Sequence, residues 1–316
     1  MTDSPVALVI GASRGMGRAM CVDLARHGFD VVPTARTSTG DETKPMSVEE
    51  TAALVRGVGQ EALPLKVDLG SIEEVEEAVR RTMENFGRID TLIITANWVD
   101  LDEGGSYSTQ FADMRWGSIQ GHIGTTIEGF LRAIHLVLPV MIEQRSGVIM
   151  NITQNRVAAN REPRLPMTFV PPLTEWLGDP DQPLPNTGQV GSMVPIARGV
   201  TDRIAPALMQ ETARHNVTVL TLDPSMTLSN NGMADYPEAQ LVGYRPNLAH
   251  SVLVPARAAT YIATCHNPML FNGMFVVAED LVRSFGLMTE EEILPPVSAG
   301  IPAYDALPLL GGRTRR

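Results

Sequence analysis

Apolar residues come in short unbroken runs along this chain, and the stretches between them are amphipathic, the pattern of buried parallel strands alternating with surface helices. The first run is Val6 to Ile10, VALVI, continuous rather than alternating, as suits a strand covered on both faces. Gly11, Gly15 and Gly17 follow it, and Arg18 to His27 is helix-compatible until Gly28 stops it. Later runs predict strands over Asp30 to Thr34, Ala62 to Val67, Thr91 to Thr95, Gly147 to Thr153, Val217 to Leu222 and Gly273 to Ala278. Between them, a Ser47 and Glu50 capping box opens a helix to about Arg56, and a Ser71 and Glu74 box opens one from Ile72 to Phe86, with Gly87 as its stop. A long helix follows Trp116 and runs to about Arg145, another runs from near Pro195 to Arg214 with Pro206 kinking or resetting it, and a third covers Ala256 to Cys265. Strict alternation implies parallel pairing and right-handed crossovers, hence an α/β, doubly wound parallel sheet.

At 316 residues, one domain with insertions is the default. A formal net charge of -11 disfavours nucleic acid and anionic membrane as partners, since both require clustered Lys and Arg. Arg313, Arg315 and Arg316 form a basic tip of the kind a solvated terminus carries. Cys21 and Cys265 build neither a disulfide framework nor a metal site, so no metal is expected. A first strand starting by Val6 leaves no room for a signal peptide, and Phe130 to Ile142, interrupted by Arg132, His135 and Pro139, is too short to span a bilayer. The expectation is a soluble, cytoplasmic protein.

A strand, a glycine turn and a helix N-terminus gather backbone N–H groups and a positive helix end at one point, which suits a dinucleotide diphosphate. The spacing is Gly-x-x-x-Gly-x-Gly, and GASRGMG resembles the cofactor turn of the short-chain dehydrogenase/reductase family. That resemblance implies a three-layer, Rossmann-like single domain over roughly residues 1–285 with a tail at 286–316, an insertion at about 155–193 and a substrate lid at about 228–250. It makes Gly11, Ser13, Arg14, Gly15, Met16 and Gly17 candidate cofactor contacts. No acid stands where the second strand ends. Arg36, with Arg14, Thr37 and Ser38, therefore points to NADP(H) over NAD(H), the alternative being two solvated arginines. Asp68, beside Leu69, fits the family's adenine-contacting aspartate, although a surface turn also favours Asp. Ile94-Thr95-Ala96-Asn97 stands where the family has Asn-Asn-Ala-Gly, so Thr95, Ala96 and Asn97 are candidate cofactor walls with only the alanine in place. Asn151 in GVIMNIT sits as in the family's fifth strand, and Pro224, Met226 and Thr227 lie where the family has Pro-Gly beside the nicotinamide.

The family's chemistry uses a Tyr in Tyr-x-x-x-Lys as acid or base, the Lys to lower its pKa and hold the ribose, a Ser to fix the substrate oxygen and an Asn to support a relay. Counting from Gly147, Pro224 and Pro139 places the Ser slot on Gln154, the Tyr slot on Val194, the Lys slot on Arg198 and the Asn slot on Thr126. None matches, and no Tyr-x-x-x-Lys occurs anywhere in the chain. Gln154 can still hold a carbonyl oxygen, and Arg198 can still act as a fixed cation. Replacement acids would come from Tyr107, His122, Glu162, Glu175, Asp179, Tyr236 or Tyr244. Met167, Met193, Met226 and Met233 either line an apolar pocket or fill the core. The resemblance implies an NADP(H)-binding oxidoreductase acting on a carbonyl or alcohol of a small apolar molecule with a non-standard site. The alternatives are a non-redox enzyme of the same fold (cyclase, lyase or isomerase) and an inactive NADP(H)-binding regulator. Pairing through the long helices, roughly Thr126 to Arg145 and Arg198 to Arg214, would give a homodimer or homotetramer.

Overall fold

The computed structural model describes residues 3–39, 46–98, 111–153, 193–224, 227–228 and 250–294. Its strands are β1 (Val6–Ile10), β2 (Asp30–Ala35), β3 (Leu65–Lys66), β4 (Thr91–Ile94), β5 (Gly147–Ile152), β6 (Val217–Asp223), β7 (Thr227–Leu228), β8 (His250–Ser251) and β9 (Phe275–Val277). Seven of them form one sheet in the order β3-β2-β1-β4-β5-β6-β9, and all of its pairings are parallel. The small β7-β8 ladder joins the two ends of the predicted lid segment.

The α-helices are α1 (Gly15–Arg26), α2 (Val48–Gly57), α3 (Ile72–Phe86), α4 (Trp116–Gly121), α5 (Gly129–Gln144), α6 (Met193–Thr201), α7 (Ile204–Ala213), α8 (Leu253–Thr264), α9 (Ala278–Ser284) and α10 (Glu290–Ile293), with short 3-10 turns at Phe111–Asp113 and Pro268–Phe271. The strands read as unbroken apolar runs because both faces of the sheet are covered. On one face Ala7, Val9, Val31, Ile93, Met150 and Leu220 meet Met20 and Leu24 of α1, Ala259 and Ile262 of α8 and Val282 of α9. On the other, Leu8, Ile10, Leu92, Ile149 and Val219 meet Val75 and Phe86 of α3, Phe130 and Val137 of α5 and Ile204 of α7. Met288 and Ile293, within the predicted tail, are buried in the first of these cores.

Local signals set most boundaries. Gly87, at φ 77°, ends α3 as expected, and α1 starts at Gly15 rather than Arg18, so the glycine turn is itself the helix's first turn. The predicted third strand shrinks to two residues. The Val31 N–H donates to Glu61 O and Val31 O accepts from Leu63 N–H, so this side of β2 faces β3, and Pro33, two residues on, has no N–H to continue that ladder. Pro206 resets the helix: α6 ends at Thr201, and Pro206 is the third residue of α7, where a helix has no acceptor for an N–H. Ser47 and Ser71 cap α2 and α3 through the Glu50 and Glu74 amides, but the reciprocal half of each predicted box is diverted. The Glu50 carboxylate pairs with Arg18, and that of Glu74 accepts from the Asp68 amide. A complete capping box forms instead at Thr289 and Glu292.

Between α4 and α5 the helix widens into a π-helical segment, His122–Glu128. The continuous Trp116–Gln144 helix, 29 residues, is long and apolar enough to cross a membrane by length and composition. Its Phe130, Ala133, Ile134, Val137 and Met141 are buried against the sheet, as in the core helix of a globular domain.

Candidate functional site

The carboxyl ends of β2 and β4 flank the glycine turn that leaves β1. Gly11, at φ 97°, presses against Thr95: a Cβ there would collide with the Thr95 hydroxyl and stand 2.7 Å from the Ala96 amide nitrogen. A Cβ on Gly17 would collide with the Gly11 carbonyl. The turn is rigid. Gly11 and Ala12 N–H groups both donate to Thr34 O at 2.8 Å, and the Thr95 hydroxyl reaches Gly11 O at 2.9 Å. Helix α1 has no acid in its first turn and no side-chain cap from Arg14, whereas α2 and α3 each carry a Ser cap and two glutamates there. Its positive end is the one left uncompensated among these three.

Arg14 is exposed at the start of α1, and Arg36 is exposed just beyond β2. Ser13 in the turn and Met16 in the first turn of α1 are half-buried. Asp68 closes its own turn, its Oδ1 accepting from Gly70 N–H at 2.9 Å, while Leu69 is buried against Gly129. Thr95, Ala96 and Asn97 leave β4 half-exposed, and the Asn97 Oδ1 accepts from the Thr126 hydroxyl at 3.1 Å. Thr126 lies in the π-helical segment, a distortion frequent at functional sites.

Val194 and Arg198 sit on α6, and both are buried. Arg198, 1% exposed, donates from Nη1 to Ile152 O at 2.6 Å and from Nη2 to Ala96 O at 3.5 Å, with its guanidinium carbon 5.2 Å from the Phe130 ring centre. It therefore ties α6 to the ends of β5 and β4. Burial drags its pKa down to about 10, against the opposing pull of Asp202, so the group stays charged at neutral pH. In the unfolded chain the pKa is higher still. Below about pH 9 both states hold the proton, so the stability difference between the wild type and Arg198→Met stays flat from about pH 6 to about pH 9 in denaturant titrations. A slope in that window would contradict this placement.

His122 is fully buried, which puts it inside the helix packing. Met193 joins Met114, Ile119 and Ile123 in a small apolar cluster. Pro224 is buried at the end of β6, and the Thr227 backbone belongs to β7. Gln154, Met226, Tyr107, Glu162, Glu175, Asp179, Tyr236, Tyr244, Met167 and Met233 lie outside the described residues, as does the predicted insertion apart from Met193. Among the described residues no group of three or more His, Cys, Asp or Glu could hold a metal ion.

Residues 5–161, about half the chain, match the profile of the short chain dehydrogenase family. The chain belongs to the short-chain dehydrogenase/reductase family. It is similar to the 3-oxoacyl-(acyl-carrier-protein) reductase FabG of Staphylococcus epidermidis, 31% identical over 147 residues, covering 46% of this chain and 55% of that protein. The corresponding reductase of Synechocystis is 32% identical, over 47% of this chain and 55% of the relative. Hydroxysteroid dehydrogenase-like protein 2 of Danio rerio is 28% identical, over 46% of this chain and 33% of the relative. The chain thus spans about half the length of the bacterial relatives it matches. The crystal structure of gox2181 has the same fold, with a TM-score of 0.66 at 21% identity, covering 89% of this chain and 97% of that one. Within the short-chain dehydrogenase/reductase frame, two positions escape sequence reasoning: Arg18 and Thr51. Both are polar residues on buried helix faces, 6% and 0% exposed, and that incongruity is the signal that marks them.

Proposed function

We propose that the chain binds NADP(H) at the glycine turn and acts as an oxidoreductase on a carbonyl or alcohol of a small apolar molecule, through a site that departs from the family's. The observation that carries the reading is the cradle of Gly11 and Gly17, where backbone lies where side chains would otherwise stand, at the uncompensated end of α1. The residues present fit a dinucleotide. The turn and the α1 N-terminus would hold the diphosphate, Arg36 with Arg14 the 2′-phosphate, and Thr95 with Ala96 would wall the nucleotide. Bound there, the nicotinamide would supply or accept a hydride. The names of the bacterial relatives, both reductases, support the redox reading.

This chain's own groups differ from the family's at the proton-transfer step. Val194 has no proton to give, and Arg198 directs Nη1 and Nη2 at carbonyl oxygens while its buried Nε has no hydrogen-bond partner among the described residues. Thr126 and Asn97 form a hydrogen-bonded polar pair at the Asn slot. Gln154 and an acid from the insertion or lid would complete the site. The same burial of Val194 and Arg198 favours a second reading, an NADP(H)-binding protein without hydride transfer, either a non-redox enzyme or a regulator. A homodimer or homotetramer is supported by Leu131 on α5 and Ile196 and Val200 on α6, exposed by 48%, 48% and 44%.

Titrating NADPH while following its fluorescence tests the cofactor reading, and its consumption against a carbonyl panel separates the two functions. Arg36→Glu is expected to weaken NADPH binding by about ten- to a hundredfold while leaving NADH nearly unchanged, since only the 2′-phosphate meets that side chain. Equal losses for both nucleotides would remove Arg36 from the site.

A further inference from the structure

Around Arg36 the chain closes into a ring of covalent and hydrogen bonds. Thr34 O, at the end of β2, accepts from both Gly11 and Ala12 of the glycine turn. Beyond Arg36, Thr37 O accepts from Val48 N–H at 3.1 Å and Ser38 O from Glu49 N–H at 3.3 Å, which docks that loop on the first turn of α2. One turn further along α2, the Thr51 hydroxyl donates back to Ala12 O at 2.7 Å. The ring runs from turn to β2, loop, α2 and back to the turn.

Arg18 orients the closing bond. Its Nε donates to the Thr51 oxygen at 3.1 Å, so the hydroxyl proton is directed at a carbonyl, and Ala12 O is nearer than Ser47 O at 3.2 Å. The Arg18 Nη2 also donates to Ser47 O at 3.3 Å and pairs with Glu50 at 2.9 Å, fixing the start of α2 itself. Chained bonds of this kind polarise one another and hold a single geometry. Because a peptide unit is planar, holding Ala12 O also sets the direction of the Ser13 N–H within the diphosphate turn.

We infer that Thr51 and Arg18 are positioning residues for nucleotide selectivity: they hold the loop that carries Arg36 at a fixed place relative to the diphosphate turn. The inference rests on the NADP(H) reading above. Its physical content is preorganisation. A 2′-phosphate that meets a loop already locked to the diphosphate site avoids the ordering cost that a detached loop imposes. Looseness of the turn alone weakens NADPH and NADH equally, whereas loss of the tie lowers the ratio of their affinities.

The experiment measures Kd for NADPH and for NADH by calorimetry in the wild type, Thr51→Val, Thr51→Ser and Glu50→Gln, each with a thermal melt. Thr51→Val is expected to lower the preference for NADPH by about three- to tenfold, the size of one lost hydrogen bond, and Thr51→Ser to retain it. Glu50→Gln, at a partly exposed position that leaves the buried hydroxyl in place, is expected to shift the preference in the same direction by a smaller factor. It keeps the test decisive if the valine variant does not fold. An unchanged preference in the folded variants, with both nucleotides weakened alike or not at all, overturns the inference and leaves the cofactor reading standing. Absence of nucleotide binding in the wild type overturns both.

Discussion

Gly17→Ala is expected to lower NADPH affinity by about five- to a hundredfold in a protein that still melts cooperatively. The added methyl falls on the Gly11 carbonyl oxygen, which has nowhere to go. That oxygen accepts from the Thr95 hydroxyl, and the Gly11 amide is held by Thr34 O, so relief on either side breaks a bond that fixes the turn. Overpacking of this kind typically costs about 1–3 kcal/mol. Spent on opening the turn, that free energy appears as lost affinity at roughly tenfold per 1.4 kcal/mol. Gly57→Ala in α2 is the control, since a Cβ there meets nothing within 4 Å: affinity should be unchanged and the melting temperature equal or slightly raised, alanine being the better helix former. Wild-type affinity in Gly17→Ala would mean that the nucleotide does not sit on this turn.

Arg198→Met is expected to cost about 2–4 kcal/mol of folding stability, measured as a shift of the urea midpoint at constant slope. Methionine fills much of the same volume but leaves Ile152 O and Ala96 O without their donor and removes the contact over Phe130. Relief from burying a charge offsets part of the loss, which is why the figure stays below that for breaking a buried pair. Arg198→Lys should fall between, because an ammonium is a point charge and cannot fork to two carbonyl oxygens. Wild-type stability in the methionine variant would show that α6 is held by its apolar face alone.

What the sequence made legible was mostly local. Apolar runs locate six strands of the main sheet to within a residue or two, and overextend the third because the donor that Pro33 lacks belongs to the strand opposite it. Gly87 and Pro206 announced a helix end and a helix restart because each acts through its own backbone. The glycine turn could be placed for the same reason. Counting put Val194 and Arg198 on one helix, but the direction of the Arg198 side chain depends on carbonyls 46 and 102 residues away, which no spacing rule reaches. The ring through Thr51 is equally non-local, joining residues 39 apart. Glu50 and Glu74 show the limit of motif reading: both capping boxes have the right letters, and each carboxylate has a different partner, the Arg18 guanidinium and the Asp68 amide. The widening of the helix over His122–Glu128 has no compositional mark, since wider hydrogen bonding asks for no particular residue.

On our proposal the amino-terminal glycine turn holds a phosphorylated nicotinamide nucleotide, and calorimetric titration of the full chain with NADPH is the decisive experiment. The expected result is saturable heat with a Kd in the micromolar range, on the order typical of cofactor and substrate binding, with the Kd raised by about five- to a hundredfold in Gly17→Ala and unchanged in Gly57→Ala. No heat up to millimolar NADPH from a protein whose melt shows it folded would contradict it.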